Sequence, residues 1–397
     1  MSIVYLDNNA TTAVAPEVTE AMMPFLTARY GNPSSMHTFG GDVARDIDRA
    51  REQAAALINA HPEEIIFTSC GTESDNTAIR NALQVNGGKR HVVTSRVEHP
   101  AVRTLCRWLG DHGYRITEVG VDQDGMLDLA ELESALSGET AIVSVMAANN
   151  ETGVLCPVSR IAEICRMRGI MFHTDAVQTV GKVPLDMQRN AIDLMSISGH
   201  KLHAPKGVGI LYVRKGTRFE PYLIGGHQEH GRRAGTENIA SIVGLGKACE
   251  LAAANQEEER SRVKALRDRL EQGLLEQVPD TRRNGHAEER LPNTSNIAFK
   301  FVEGEAILLY LDQAGICASS GSACTSGSLQ PSHVLGAMGV PMEYKQGSIR
   351  LSLSRYTTDE EIDRTLETVP AIIKRLREIS PFGEGKASMA RFAAQGH

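Results

Sequence analysis

Lys201 stands in the turn Ser198-Gly-His-Lys201, between apolar runs at 192–197 and 208–213, with Pro205 and Gly207 following. An amine at the end of a strand can form a Schiff base with a carbonyl compound, although most lysines in turns are simply solvated. An earlier run, 170–173, is followed by Thr174-Asp-Ala-Val-Gln178. A carboxylate there commonly caps the next helix, and it can also pair with a cationic ring nitrogen. Earlier still, 65–68 leads into Ser69-Cys-Gly-Thr-Glu-Ser-Asp-Asn76. A small-residue turn opening a helix gathers backbone N–H groups and hydroxyls into an anion site suited to phosphate. An ordinary N-cap with Glu73 in the first turn reads the same way. Each feature alone is commonplace. In this order they meet the needs of pyridoxal phosphate, which takes a lysine amine, a carboxylate for its ring nitrogen and donors for its phosphate. His200 and His203 have no third ligand at a metal spacing, so no intrinsic metal is expected.

The seven cysteines are Cys70, Cys106, Cys156, Cys165, Cys249, Cys317 and Cys324. The count is odd and no pair is spaced Cys-x-x-Cys, which argues against a disulfide framework or a zinc site and for reduced thiols. Cys324 is set apart by its surroundings. The other nine residues of 319–328 are Ser, Gly, Ala or Thr. Such a stretch cannot bury itself, and its composition predicts a mobile loop carrying an exposed nucleophile. Cys317, after Gly315-Ile316, reads as buried strand. Cys70, beside the anion turn, is the rival thiol.

These groups need a scaffold. Short apolar runs at 65–68, 91–94, 141–146, 170–173, 192–197 and 208–213 alternate with helix-like stretches such as 101–111 and 163–168. The pattern predicts an α/β fold with a mostly parallel sheet covered on both faces and ligands at the carboxyl ends of its strands. From about residue 255 the character changes. A charged helix at 255–277, a strand at 296–301, a helix at 305–314, a strand at 348–353 and a helix from Thr358 predict a smaller α+β domain. The division expected is an N-terminal segment at 1–15, a large domain at 16–255, a small domain at 256–380 and a tail at 381–397. With 41% hydrophobic and 23% charged residues, the 397-residue chain is neither disordered nor fibrous. A formal charge of −7 without a basic run disfavours nucleic acid. No apolar stretch reaches the ~18 residues of a membrane span. The first residues lack the basic flank and apolar core of a secretory signal, and a cytoplasmic protein is expected.

The chain resembles the class V, fold-type I family of pyridoxal-phosphate enzymes, and within it the cysteine desulfurases of the nitrogen-fixation type (NifS). The matching segments are Tyr5-Leu-Asp-Asn-Asn-Ala-Thr-Thr12, Gly31-Asn-Pro-Ser-Ser35, Cys70-Gly-Thr-Glu-Ser74, Glu98-His-Pro100, Asn149-Asn-Glu-Thr-Gly153, Phe172-His-Thr-Asp-Ala-Val-Gln178 and Ser198-Gly-His-Lys201. Arg233-Ala-Gly-Thr-Glu-Asn238, the 319–328 stretch and Ile349-Arg-Leu-Ser-Leu-Ser354 complete the set. The resemblance implies that Lys201 holds the cofactor and moves the substrate Cα proton. It implies that Asp175 pairs with the ring nitrogen, and that Gln178 and Asn150 serve the ring-oxygen side and the substrate. His99 would stack on the ring as a candidate acid/base, and Gly71, Thr72, Ser198 and His200 would hold the phosphate. Thr236 would reach the phosphate of a neighbouring subunit, making a homodimer. Arg350 would clamp the α-carboxylate of L-cysteine, a task that suits a bidentate guanidinium. Cys324 would take the sulfur as a persulfide and meet an iron–sulfur cluster only during transfer to a scaffold protein. A selenocysteine lyase, an aminotransferase, a housekeeping desulfurase and a non-catalytic docking scaffold are the alternatives.

Overall fold

In the computed structural model, residues 3–320 and 332–380 are described; Cys324 and the 381–397 tail lie outside them. The first strand is β1 (Val4–Tyr5). A central sheet follows from β2 (Ile65–Thr68), β3 (His91–Ser95), β4 (Arg115–Val119), β5 (Thr140–Ser144), β6 (Met171–Asp175), β7 (Leu194–Ser198) and β8 (Gly209–Val213). These seven strands lie in the order β2-β8-β7-β6-β5-β3-β4. The pairs from β7 across to β4 are parallel, and β8 runs antiparallel to both its neighbours. The mostly parallel α/β sheet expected from the apolar runs is therefore present. Strands β2, β3, β5, β7 and β8 are buried along their whole length, which is why they read as continuous apolar or small-polar runs.

Helices α1 (Pro16–Thr27), α2 (Thr38–Leu57), α3 (Gly71–Val85), α4 (Pro100–Asp111), α5 (Leu129–Ala135), α6 (Val158–Met167) and α7 (Ile239–Ala254) cover this sheet. Several elements escaped the sequence pattern, β4 and α7 among them. The β4 edge strand carries Arg115 and Glu118 exposed, and charge on an edge blunts further pairing but hides the strand signal. Helix α7 is apolar nearly all round and so has no amphipathic period. It packs closely on α2, because a Cβ on Gly246 would lie 2.6 Å from the Ala50 Cβ. Helix α6 also begins five residues before the expected 163, at Val158.

A second layer holds β9 (Thr281–Arg283), β10 (Thr294–Phe299), β11 (Ile316–Cys317) and β12 (Ser348–Ser352), with helices at 264–277, 304–313 and 359–379. The antiparallel order is β12-β10-β9. Its apolar cluster, including Leu270, Phe299, Leu351 and Ile373, is separate from those of the central sheet. Strand β10 begins two residues before the expected 296, and Cys317 is half-buried rather than buried. The helix expected over 255–277 contains a π-turn at Glu259–Val263.

The N-terminal segment joins the two layers. Val4 and Tyr5 pair with Ile316 and Cys317 of β11. Asn8 N–H then donates to the Ser352 carbonyl, and Thr12 N–H to the carbonyl of His200 beside β7. The polar run 7–12 is thereby carried across the carboxyl ends of the central strands.

Candidate active site

The parallel strands deliver their C-terminal turns to one place, where a cavity of about 670 Å³ opens. Strand β2 ends in the turn that starts α3, and both Gly71 and Thr72 line the cavity. Position 71 has no room for a side chain, since a Cβ would come within 2.8 Å of Val177 Cγ2 and 3.4 Å of Ser198 Cβ. The first backbone N–H groups of this 15-residue helix have no partners within the helix and carry its positive dipole end. Ser198, beside Gly71, and His200 also line the cavity. His200 Nδ1 sits 3.2 Å from Thr11 Oγ1, and burial with the nearby Lys201 pushes its imidazole down to about 4, so it is neutral.

Strand β6 ends in Asp175, whose Oδ1 accepts from the Val177 N–H at 2.9 Å. Burial raises its carboxyl above the usual range, opposed by His99, that N–H and Lys201. Asp75 of α3 also lines the cavity, and burial beside Asp175 raises it well above the usual carboxylate range. Gln178 donates from Nε2 to the Asn9 carbonyl at 3.0 Å, leaving its buried Oε1 without a partner. His99 caps α4, its Nδ1 accepting from the Ala101 N–H at 3.2 Å. Nδ1 is therefore unprotonated and the ring proton sits on Nε2. Burial lowers the His99 imidazole from its usual range and favours that neutral form.

Lys201 occupies a short turn between β7 and β8 and donates to the carbonyls of Asn9 at 2.7 Å and Ala10 at 2.6 Å. Burial, followed by repulsion from Arg350 and Lys182, brings its amine down to about 7. An amine poised there exchanges protons near neutrality, which an ordinary lysine at ~10.4 does not. From the second layer, Arg350 of β12 enters the cavity. Its Nη1 donates to the Asn150 carbonyl at 2.8 Å, its Nη2 pairs with Asp7 at 2.9 Å, and its buried Nε has no partner.

The cavity thus gathers Gly71, Thr72, His99, Asn150, Asp175, Gln178, Ser198, His200, Lys201 and Arg350. Thr236 is not among the lining residues of its own chain and is exposed. Its segment is tied to α3 by the Arg233–Glu73 ion pair at 2.9 Å. Sequence reasoning passed over Asn9, Ala10, Glu151, Ser332 and His333 on the cavity wall. Asn9 and Ala10 lie within the mainly polar run 7–12 but reach Lys201 through backbone carbonyls, which no side chain signals. Ser332 Oγ donates to Glu151 Oε2 at 2.5 Å, and His333 Nε2 donates to the Glu98 carbonyl at 3.0 Å. Ser319 exchanges backbone hydrogen bonds with Arg350.

The donor set fits a phosphorylated pyridine aldehyde. The unpaired Gln178 Oε1, the close-fitting Gly71 turn with its free helix end, the buried Asp175 and the poised Lys201 each offer what one part of that molecule lacks. The model of the aminotransferase class-V family matches residues 4–365. A protein called cysteine desulfurase from Trichormus azollae is 59% identical over 387 residues, covering 98% of this chain and 97% of that one. Cysteine desulfurase NifS of Azotobacter vinelandii is 56% identical over 386 residues, covering 97% and 96%. A solved structure described as a NifS-like protein has a TM-score of 0.89 at 38% identity, covering 94% of this chain and all of its own. The NifS-like protein of Rickettsia africae has a TM-score of 0.85 at 32% identity, covering 94% and 99%. A match of this extent, on a cavity whose donors suit the cofactor, means that the chain belongs to the class V aminotransferase family of pyridoxal-phosphate enzymes.

Proposed function

We propose that this enzyme is a cysteine desulfurase, converting L-cysteine to L-alanine and passing the sulfur to Cys324 as a persulfide for iron–sulfur cluster assembly in the nitrogen-fixation branch. The observation that carries this reading is the convergence of Lys201, Asp175 and Arg350 on one cavity whose wall also holds Ser319 and Ser332, on either side of the stretch containing Cys324. Relatives named cysteine desulfurase, NifS among them, support the substrate and the branch.

Lys201 would hold the cofactor covalently, Asp175 its ring nitrogen and His99 its ring face. Gln178 and Asn150 serve the ring-oxygen side. Gly71, Thr72, Ser198 and His200 hold the phosphate, with Thr236 reaching over from the second subunit of a homodimer. When bound, pyridoxal phosphate supplies an electron sink beside the substrate Cα, which lets the Cα proton leave and weakens the Cβ–S bond. Arg350 binds the substrate carboxylate and has an unpaired Nε–H to offer it. The Lys201 amine, which burial and the nearby Arg350 and Lys182 push toward its uncharged form, takes the Cα proton and later returns one. His99 offers its Nε2 proton as an acid. The Cys324 thiolate attacks the substrate sulfur. A sulfur–sulfur bond forms as Cβ–S breaks, the electron pair stays with carbon, and protonation there completes alanine. The persulfide sulfur then passes to a scaffold protein in the cytoplasm.

The test is an assay of purified enzyme with L-cysteine and no added keto acid, alongside the visible spectrum of the bound cofactor. Alanine together with sulfide or persulfide is expected. Deamination that requires a keto acid would make the enzyme an aminotransferase instead.

A further inference from the structure

A second lysine lies behind the first. Lys182 follows Gln178 by four residues on the turn after β6, and its side chain is 7% exposed. Its amine donates to the Gln178 carbonyl at 3.1 Å and makes no ion pair among the described residues. Lys182 and Lys201 both line a small space of about 20 Å³, with His203, Asn255, Glu259 and Arg355. Glu259 and Arg355 come from the second layer, and Glu259 Oε2 is buried without a hydrogen-bond partner. A buried cation with one hydrogen bond to a carbonyl, and Glu259 attracting it without an ion-pair contact, is costly to keep. The desulfurase reading leaves it without a task.

We propose that Lys182 is a positioning residue for the active-site amine: its ammonium group, fixed behind Gln178, repels a proton from Lys201 and keeps that amine in its reactive, uncharged form. A neighbouring cation is one of the physical routes by which a lysine becomes a nucleophile or base near neutrality. Lys201 is faced by Asp7, His99, Asp175, His200 and Arg350 as well as Lys182. Of the two cations in that set, Arg350 is also the expected binder of the substrate carboxylate, so its repulsion fades once that anion arrives. Lys182 is faced by Glu259, Lys201, His200 and His203. Unlike Arg350, Lys182 does not line the active-site cavity and meets no substrate group, so its charge persists when substrate binds. Burial lowers the Lys182 amine to about 8, with Glu259 opposing, while Lys201 lies at about 7.

The inference deepens the reading of Lys201 as the cofactor lysine, and its test avoids the cofactor. In enzyme stripped of pyridoxal phosphate, lysines are dimethylated with 13C-formaldehyde and titrated by NMR. The Lys201 signal is identified as the one absent from Lys201→Ala. Lys182→Met should move the Lys201 midpoint up by roughly 0.5–1 pH unit. Lys182→Gln, which keeps a donor for the Gln178 carbonyl but no charge, should move it equally, while Lys182→Arg should leave it in place. An unmoved midpoint in folded Lys182→Gln, or an equal shift in Lys182→Arg, would overturn the proposal. Either result leaves the assignment of Lys201 untouched, because that assignment is read separately from covalent attachment of the cofactor.

Discussion

At the scale of single residues, the site works by removing water from charges that would otherwise be ordinary. Lys201, Asp175 and His99 each sit in a low-dielectric wall, and each is pushed toward its neutral form by burial before neighbouring charges adjust it. The proposed role of Lys201 predicts that borohydride reduction of the loaded enzyme fixes the cofactor to the peptide containing Lys201. The same treatment of Lys201→Ala should leave no covalent label, and a label retained there would remove the assignment. Glu98, next to His99, gives a different prediction. Its carboxyl is fully buried and raised to about 8 by burial, against hydrogen bonds from Ser95 and Met146 N–H. Between its unfolded value near 4.5 and about 8 the folded protein holds a proton that the unfolded chain has lost. Stability from this group is thus full below about 4.5 and declines as pH rises through 8. Glu98→Gln, which mimics the protonated acid, should flatten the loss of stability between pH 5 and 8 in urea titrations. An unchanged pH slope would show that Glu98 is charged in the fold.

At the scale of elements, strand ends and helix starts do the placing. Gly71 opens α3 where a side chain would meet Val177, so Gly71→Val should shift that helix end and weaken cofactor binding at least tenfold in an absorbance titration. Wild-type affinity in a folded Gly71→Val would mean that the α3 turn is not the phosphate cradle. The central strands were legible because burial on both faces leaves them continuously apolar or small, as in β5 and β7. Lys201, Asp175 and the Gly71 turn were legible because each directly follows such a run. Strand β4 and helix α7 were not, since an edge strand carries charge and a fully buried helix lacks periodicity. The same limit hid Asn9 and Ala10. They serve through backbone carbonyls, and no side-chain type marks that use. Ser332 and Glu151 meet across 181 positions, a proximity that only the assembled layers create.

At the scale of the whole molecule, the mainly polar run after β1 crosses from the β11 side to the Lys201 turn, and residues of both layers line one cavity. The homodimer proposed from Thr236 has a direct consequence. In a mixed dimer of Lys201→Ala and Thr236→Ala chains, one site keeps its own Lys201 and receives an intact Thr236 from its neighbour. Mixing the two weak variants under exchange should therefore restore activity above either parent, and a fully active monomer in sedimentation analysis would contradict the shared site. The central claim is that this enzyme moves sulfur from L-cysteine to Cys324. Its most direct measurement is peptide mass spectrometry after brief exposure to L-cysteine, with alanine counted in the same sample. One added sulfur on the peptide containing Cys324, matched by alanine and absent from a Cys324→Ser variant that still binds cofactor, is the predicted result. Sulfur on the Cys70 peptide, or undiminished alanine formation by Cys324→Ser, would contradict it.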